Sequence, residues 1–185
     1  MPDLLTRHRF TVDDYYRMAE VGIIARDARV ELIHGEVVEM SPQNSPHGGF
    51  ITRIERLLGG PGRGYLLRVQ LPLRIDRHNE PEPDFVLARL RDDDYIGGHA
   101  APADALLLIE VADSSLDYDR DEKDRLYARA GVPEYWILNL PERCIEVRRD
   151  PSPEGYRTKL RAVAGESVTA VAASQVKLTV DEVFA

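Results

Sequence analysis

The stretch "ALLLIEVA", residues 105–112, decides how this chain folds. It is apolar on both sides of Glu110, so as a strand it needs protein on both faces, as a middle strand does in a sheet covered by helices. A lone carboxylate in that setting costs roughly several kcal/mol unless a cation or good hydrogen bonds meet it. Glu110 is therefore expected to have a partner.

Upstream, "YLLRVQLPLRI" (65–75) and "PDFVLARL" (83–90) read as strands separated by the polar loop "DRHNEPE" (76–82). Pro83 at a strand start loses no ladder donor. Period-two geometry puts Asp84, Val86 and Ala88 on one face, and Leu106, Leu108, Glu110 and Ala112 on one face. If the two strands are neighbours, Asp84 and Glu110 point into one volume. Two unpaired carboxylates there repel and drive one pKa upward. A divalent cation resolves the conflict, and hard oxygen ligands suit magnesium or manganese.

Downstream, "DYDRDEKDRLYARAG" (117–131) reads as a helix stopped by Gly131 and Pro133. Lys123, Leu126, Tyr127 and Ala130 share the side that meets the sheet. Only Lys123, Lys159 and Lys177 are lysines in a chain that otherwise uses arginine, and a lysine retunes its pKa readily when desolvated. The other reading is an i,i+4 pair with Asp119 on a solvated face, worth ~0.3–0.5 kcal/mol. The pattern alone leaves both open. Asp119 with Glu122 three residues on fits a capping box, a cap rather than a ligand.

The remaining elements follow from local signals. Thr11 caps a short amphipathic helix in "FTVDDYYRMAE", and "VELIHGEVVEM" makes a hairpin around His34-Gly35. "SPHGGFITRIERLLGG" forms a second helix with Ser45 as N-cap and Pro46 at its first position. "EYWILNL", "CIEVRRD" and "GYRTKLRAV" form an antiparallel meander, and "LTVDEVFA" a closing short helix. The expected class is α+β or mixed α/β: a central mixed sheet flanked by helices, with an N-terminal helix and hairpin and C-terminal antiparallel strands. At 185 residues the chain is read as one domain, 1–185.

Bulk properties narrow the classes. One cysteine, Cys144 in the alternating "RCIEV", excludes an internal disulfide and reads as a buried thiol. No stretch approaches the ~20 apolar residues of a membrane span, and no secretory signal is present, so a cytoplasmic protein is expected. The net charge of −8 argues against coating nucleic acid by bulk electrostatics but permits a local basic groove. No serine triad, Walker loop or dinucleotide fingerprint occurs.

"PEPDFVLA", then "LLLIEVADSS", then "DYDRDEKDRLYARAGVPEYWILNL", with "RVELIHGEVVEMSPQNSPHG" upstream, resembles the Uma-type restriction endonuclease family of the PD-(D/E)XK nuclease superfamily. The resemblance runs from about Phe10 to the final "LTVDEVF". It implies a restriction-endonuclease-like fold and a Mg²⁺ (or Mn²⁺) held by Asp84, Glu110 and the backbone carbonyl of Val111. The superfamily's usual lysine, two residues after the second acid, is replaced here by Ala112. The pattern instead resembles a migrated lysine, Lys123, and Glu31 looks like an additional acid.

The expected activity is hydrolysis of phosphodiester bonds, in DNA, by a homodimeric endonuclease. Lys123 would orient or deprotonate the attacking water beside the metal. His47, which matches the family's histidine, and Gln70 are weighed as substrate contacts against capping and packing roles. Arg53 and Arg56, with Arg63, Arg68 and Arg74, are the expected phosphate contacts. Trp136 and Tyr135 read as core. Two alternatives are carried: a catalytically silent nucleic-acid-binding or regulatory module, which the −8 charge favours, and a metal-dependent phosphohydrolase on a small substrate.

Overall fold

A computed structural model describes residues 7–40 and 45–185. Helix α1 (Val12–Glu20) begins at Thr11, whose side chain accepts from the Asp14 N–H while Asp14 returns the bond to the cap backbone. This reciprocal box satisfies two donors that a helix start leaves unpaired. Strands β1 (Val30–Ile33) and β2 (Glu36–Glu39) pair antiparallel. Their two-residue turn holds His34 at φ +54 and Gly35 at φ +76. That left-handed pair matches the strand twist, and Gly35 is further needed because a Cβ there would meet Arg9.

Helix α2 (Ser45–Leu58) starts at Ser45; the residues before it, 41–44, and with them part of the upstream motif, lie outside the described residues. Strands β3 (Leu66–Val69), β4 (Phe85–Ala88) and β5 (Ala105–Ala112) follow. A helical segment then runs through α3 (Leu116–Tyr118), a wide turn (Asp119–Lys123) and α4 (Asp124–Arg129). Next come β6 (Glu134–Asn139), β7 (Cys144–Ser152) and β8 (Gly155–Ala162), the expected meander. A small pair, β9 (Ser167–Thr169) and β10 (Lys177–Thr179), precedes α5 (Val180–Phe184).

Strands β3 to β8 form one six-stranded sheet in chain order, antiparallel except for the β5–β6 pair, which is parallel. The parallel step needs a crossover, and the helical segment 116–129 supplies it. One face packs Leu107, Ile109, Val111, Trp136 and Leu138 against Ile51, Ile54 and Leu58 of α2 and Val183 and Phe184 of α5. The other packs Val86, Leu108, Ala112, Tyr135 and Ile137 against Leu126 and Tyr127 of α4. Every residue of β5 is buried, as its uniform apolarity requires.

Two readings need correction here. Leu106 does not share the face of Glu110; it joins the opposite core, because the β4–β5 register shifts between Leu87 and Ala88. A bulge breaks strict alternation, and the sequence carries no mark of it. Strand β3 is also shorter than "YLLRVQLPLRI" implied: Gln70 sits at φ +49, which ends the extended run. Trp136, Tyr135 and the Cys144 thiol are fully buried, as expected. Among the described residues no helix is long and apolar enough to cross a membrane.

Candidate active site

The sheet register builds the site. Phe85 pairs with Ile109, so Asp84, one step earlier, faces Glu110 across β4 and β5. The Asp84 N–H donates to Glu110 Oε2 at 3.2 Å, and the Val111 N–H donates to Asp84 Oδ2 at 2.9 Å. The two acids are thus locked to each other's backbones. Gln70 Nε2 donates to Asp84 Oδ1 at 3.1 Å, and His47 Nε2 from the first turn of α2 lies 3.3 Å from the same oxygen. Gln70 makes this contact from its left-handed backbone. Such strain in a non-glycine persists only where surroundings fix it, and it clusters at functional sites.

Glu110 has the partner that burial demands. Lys123 Nζ donates to Glu110 Oε1 at 2.9 Å, and so does the Tyr127 hydroxyl, also at 2.9 Å. Lys123 Nζ also lies 3.5 Å from Glu31 Oε2 of β1, whose carboxylate accepts the Glu82 N–H at 3.2 Å. Lys123 is 6% exposed, which removes the reading of a solvated i,i+4 pair. Burial works to lower the Lys123 pKa, but Glu110, Glu31 and Asp119 outweigh it and hold the ammonium well above the ordinary lysine value. For Glu110, burial pushes the pKa upward against the pull of Lys123, and the Asp84 charge adds to the rise.

The wide turn at 119–123 places the lysine. Here the Asp124 N–H reaches back five residues to the Asp119 carbonyl, a π-type turn of the kind often found at functional sites. Asp119 is therefore inside a continuous helical segment, not an N-cap, and the capping-box reading is corrected. Its side chain is buried and accepts the Ser115 hydroxyl at 2.7 Å. Burial raises its pKa, and Lys123 opposes the rise.

Glu31, His47, Asp84, Glu110, Val111, Asp119 and Lys123 all line one cleft of about 310 Å³, with Arg29, Glu39, Glu82, Asp113 and Tyr118 at its walls and rim. The Asp84 hydrogen bond favours the charged imidazole and raises the His47 pKa. On Asp84, burial raises the pKa, but His47, Val111 and Gln70 together bring it below the ordinary aspartate value. Sequence reasoning missed Tyr127 and Tyr118, and assigned Asp119 elsewhere. Tyr127 was legible as a sheet-facing residue, but its hydroxyl contact depends on the tertiary crossing of α4 over β5.

The arginines expected at phosphates lie outside the cleft lining. Arg53 donates to the carbonyls of Val183 and Ala185 at 2.9 and 2.7 Å and lies over the Phe50 ring. Arg63 donates to the Leu57 carbonyl, Arg74 bonds Glu80, and Arg68 is buried against the Tyr95 ring. Arg56 alone of the five is exposed, and none of them lines the cleft.

The lone pairs of the two acids decide whether a divalent cation can bind. Glu110 Oε1 accepts two donors and Oε2 one; Asp84 Oδ1 has Gln70 and His47, and Oδ2 only Val111. Each acid therefore keeps one oxygen with an acceptor position that no described residue fills. Seven carboxylates line the cleft (Glu31, Glu39, Glu82, Asp84, Glu110, Asp113 and Asp119) against Lys123, Arg29 and His47, so acidic groups are in surplus. Among the described residues no three acid, histidine or cysteine side chains stand in a ready coordination group. A cation shared by Asp84 and Glu110 would keep most of its shell for water and substrate, as magnesium commonly does. The residues fit such an ion.

A family model described as Uma2, "Putative restriction endonuclease", matches residues 12–181. No curated protein sequence matches the chain. Among solved structures, the chain is similar to the crystal structure of a "putative nuclease belonging to DUF820" from Anabaena variabilis. The TM-score is 0.68 at 16% identity, covering 95% of this chain and 97% of that one. At that identity the likeness concerns the fold: a central mixed sheet flanked by helices.

Proposed function

Because the chain belongs to the Uma2 family of restriction-endonuclease-like proteins, we propose that it is a divalent-cation-dependent endonuclease that hydrolyses phosphodiester bonds, in DNA. One observation carries the reading: Asp84, Glu110 and Lys123, from two adjacent strands and the crossover helix, meet in one cleft within hydrogen-bonding reach. Asp84, Glu110 and the Val111 carbonyl would hold Mg²⁺ or Mn²⁺. That ion supplies positive charge at the phosphate and acidifies water there.

The chain's own residues do the rest. Lys123 holds the attacking water in line, and its ammonium offsets the negative charge that builds on the phosphate oxygens. Glu110 and Glu31 fix the ammonium from two sides, so its direction is set before substrate arrives. His47, charged by its contact with Asp84, stands at the helix start where a phosphate oxygen can approach. A homodimer would present two such sites, one for each strand of a duplex.

The test pairs wild type with Asp84→Asn on supercoiled DNA with Mn²⁺. Wild type is expected to nick and linearise the plasmid and Asp84→Asn to leave it intact. Cation at 100 times its Kd should stabilise wild type by about 2.7 kcal/mol in thermal unfolding and Asp84→Asn not at all. Cleavage that survives Asp84→Asn would sink the assignment. The acidic rim of Glu39, Glu82 and Asp113 favours a second reading, a phosphohydrolase for a small substrate. Turnover of a generic phosphodiester with DNA left whole would select it.

A further inference from the structure

Tyrosine hydroxyls in this chain are almost all spoken for. There are eight tyrosines, and seven donate to a protein acceptor. Tyr15 reaches the Val30 carbonyl, Tyr16 Glu80, Tyr65 the Leu58 carbonyl and Tyr95 the Arg89 carbonyl. Tyr127 reaches Glu110, Tyr135 the Asp119 carbonyl and Tyr156 the Val132 carbonyl. The eighth, Tyr118, has a buried hydroxyl with no hydrogen-bond partner among the described residues. Its side chain lines the cleft.

A buried donor without an acceptor is a net cost to the free protein. Tyr118 is the last residue of α3, immediately before the wide turn that places Asp119 and Lys123, so its position is tied to the same device that aims the lysine. Burial raises its pKa, and the nearby Glu31 charge raises it further, so the group stays a neutral O–H. A neutral donor suits this cleft. It can approach an anionic oxygen without adding to, or being captured by, the ion pairs around Lys123.

We propose that the Tyr118 hydroxyl contacts substrate, donating its hydrogen bond to a phosphate oxygen of the scissile group. The inference rests on the nuclease reading and names a residue that reading did not contain. Tyr118 is silent in folding because its acceptor arrives with the substrate. Removing the hydroxyl therefore takes away function without taking away a native contact.

The experiment compares wild type, Tyr118→Phe and Asp84→Asn, using fluorescein-labelled DNA and RNA oligonucleotides. Cleavage is followed with Mn²⁺ and binding with Ca²⁺; the melting temperature is read without cation. For Tyr118→Phe the expected result is a roughly 10- to 100-fold loss in kcat/KM, the size of one hydrogen bond to a charged group. Its melting temperature should be unchanged or higher by up to about 4 °C.

Equal kcat/KM in the two proteins would overturn the Tyr118 role while the nuclease reading stands. A melting temperature lowered by several degrees would also overturn it, because the hydroxyl would then hold the fold. If wild type neither binds nor cleaves either oligonucleotide, and matches Asp84→Asn throughout, the nuclease reading itself fails and takes the Tyr118 role with it.

Discussion

Two charged clusters lie on one face of the sheet, a single residue apart, the first buried and the second running from buried Asp124, Glu146 and Arg148 out to exposed Glu142, Lys159 and Arg161. Following the register across the strands, Glu110 of β5 pairs with Ile137 of β6, Ile137 with Glu146 of β7, and Glu146 with Arg161 of β8. On one side of Ile137 lies the cleft, where Glu31, Glu110 and Asp119 surround Lys123 and Asp84 meets His47. On the other, Asp124, Glu142 and Glu146 face Arg120, Arg148, Lys159 and Arg161. Arg148 bonds Asp124 at 2.9 Å and Glu146 at 2.6 Å, Arg120 bonds Glu142 at 3.0 Å, and Arg161 bonds Glu142 at 2.8 Å. Arg120 also bonds Glu146, and Asn139 donates to Glu146 at 2.9 Å.

The difference lies in the charge balance. In the second cluster every acid bonds at least one arginine, so nothing further is required to compensate it. The cleft acids outnumber the cationic groups beside them, and two of them keep unfilled acceptor positions. Burial of charge is therefore no sign of function by itself; an uncompensated surplus that opens into a cleft is. The lysine is the right cation for the cleft. It is a compact point charge with free rotation, whereas the guanidinium fork would clamp its carboxylates and exclude another ion.

This contrast can be broken or sharpened by substitution. The largest effect is expected at the cleft: Lys123→Met should lower the cleavage rate roughly 10²- to 10³-fold, the range for removing one preorganised donor that stabilises charge in the transition state. Single-turnover assays with Mn²⁺ check it, and activity within a few-fold of wild type would place the chemistry elsewhere. Next comes Arg148→Met in the balanced cluster. It removes one cation from Asp124 and Glu146, which keep Lys159 and Arg120, and should cost about 1.5–3 kcal/mol of stability, read by urea unfolding, while kcat per folded molecule stays near wild type. A large loss of kcat in the folded fraction would mean that the two clusters act as one.

The smallest effect is in acid. Glu146 is held down to about 2: burial works to raise it, and the bonds from Arg120, Asn139 and Arg148 outweigh that. Its unfolded value is higher, so the unfolded chain binds more protons in this window and stability falls with falling pH. The contribution is present above about pH 4.5 and is lost progressively toward pH 2. Glu146→Gln should flatten that limb of the stability–pH curve. An unaltered limb would show that Glu146 is less tightly held than its hydrogen bonds indicate.

Much of this was legible in the chain. The all-apolar run of 105–112 forced a covered middle strand, and Glu110 within it forced a partner. Thr11 with Asp14, the left-handed His34-Gly35 turn, and Lys123 with Leu126 and Tyr127 on one helical side are all local, because each depends on backbone geometry within a few residues. What tertiary structure alone decided is which charges meet. The bulge at Leu87/Ala88, the left-handed Gln70 and the wide turn at 119–123 each shift a side chain by a fraction of a repeat. Such shifts arise from packing between distant segments, and no periodicity records them. They moved Asp119 from a supposed cap into the cleft, brought Tyr127 onto Glu110, and left the buried Tyr118 hydroxyl without a partner among the described residues. Sequence determines which groups must be compensated, since burial follows from local apolarity; the fold determines by whom, since compensation is a matter of distance.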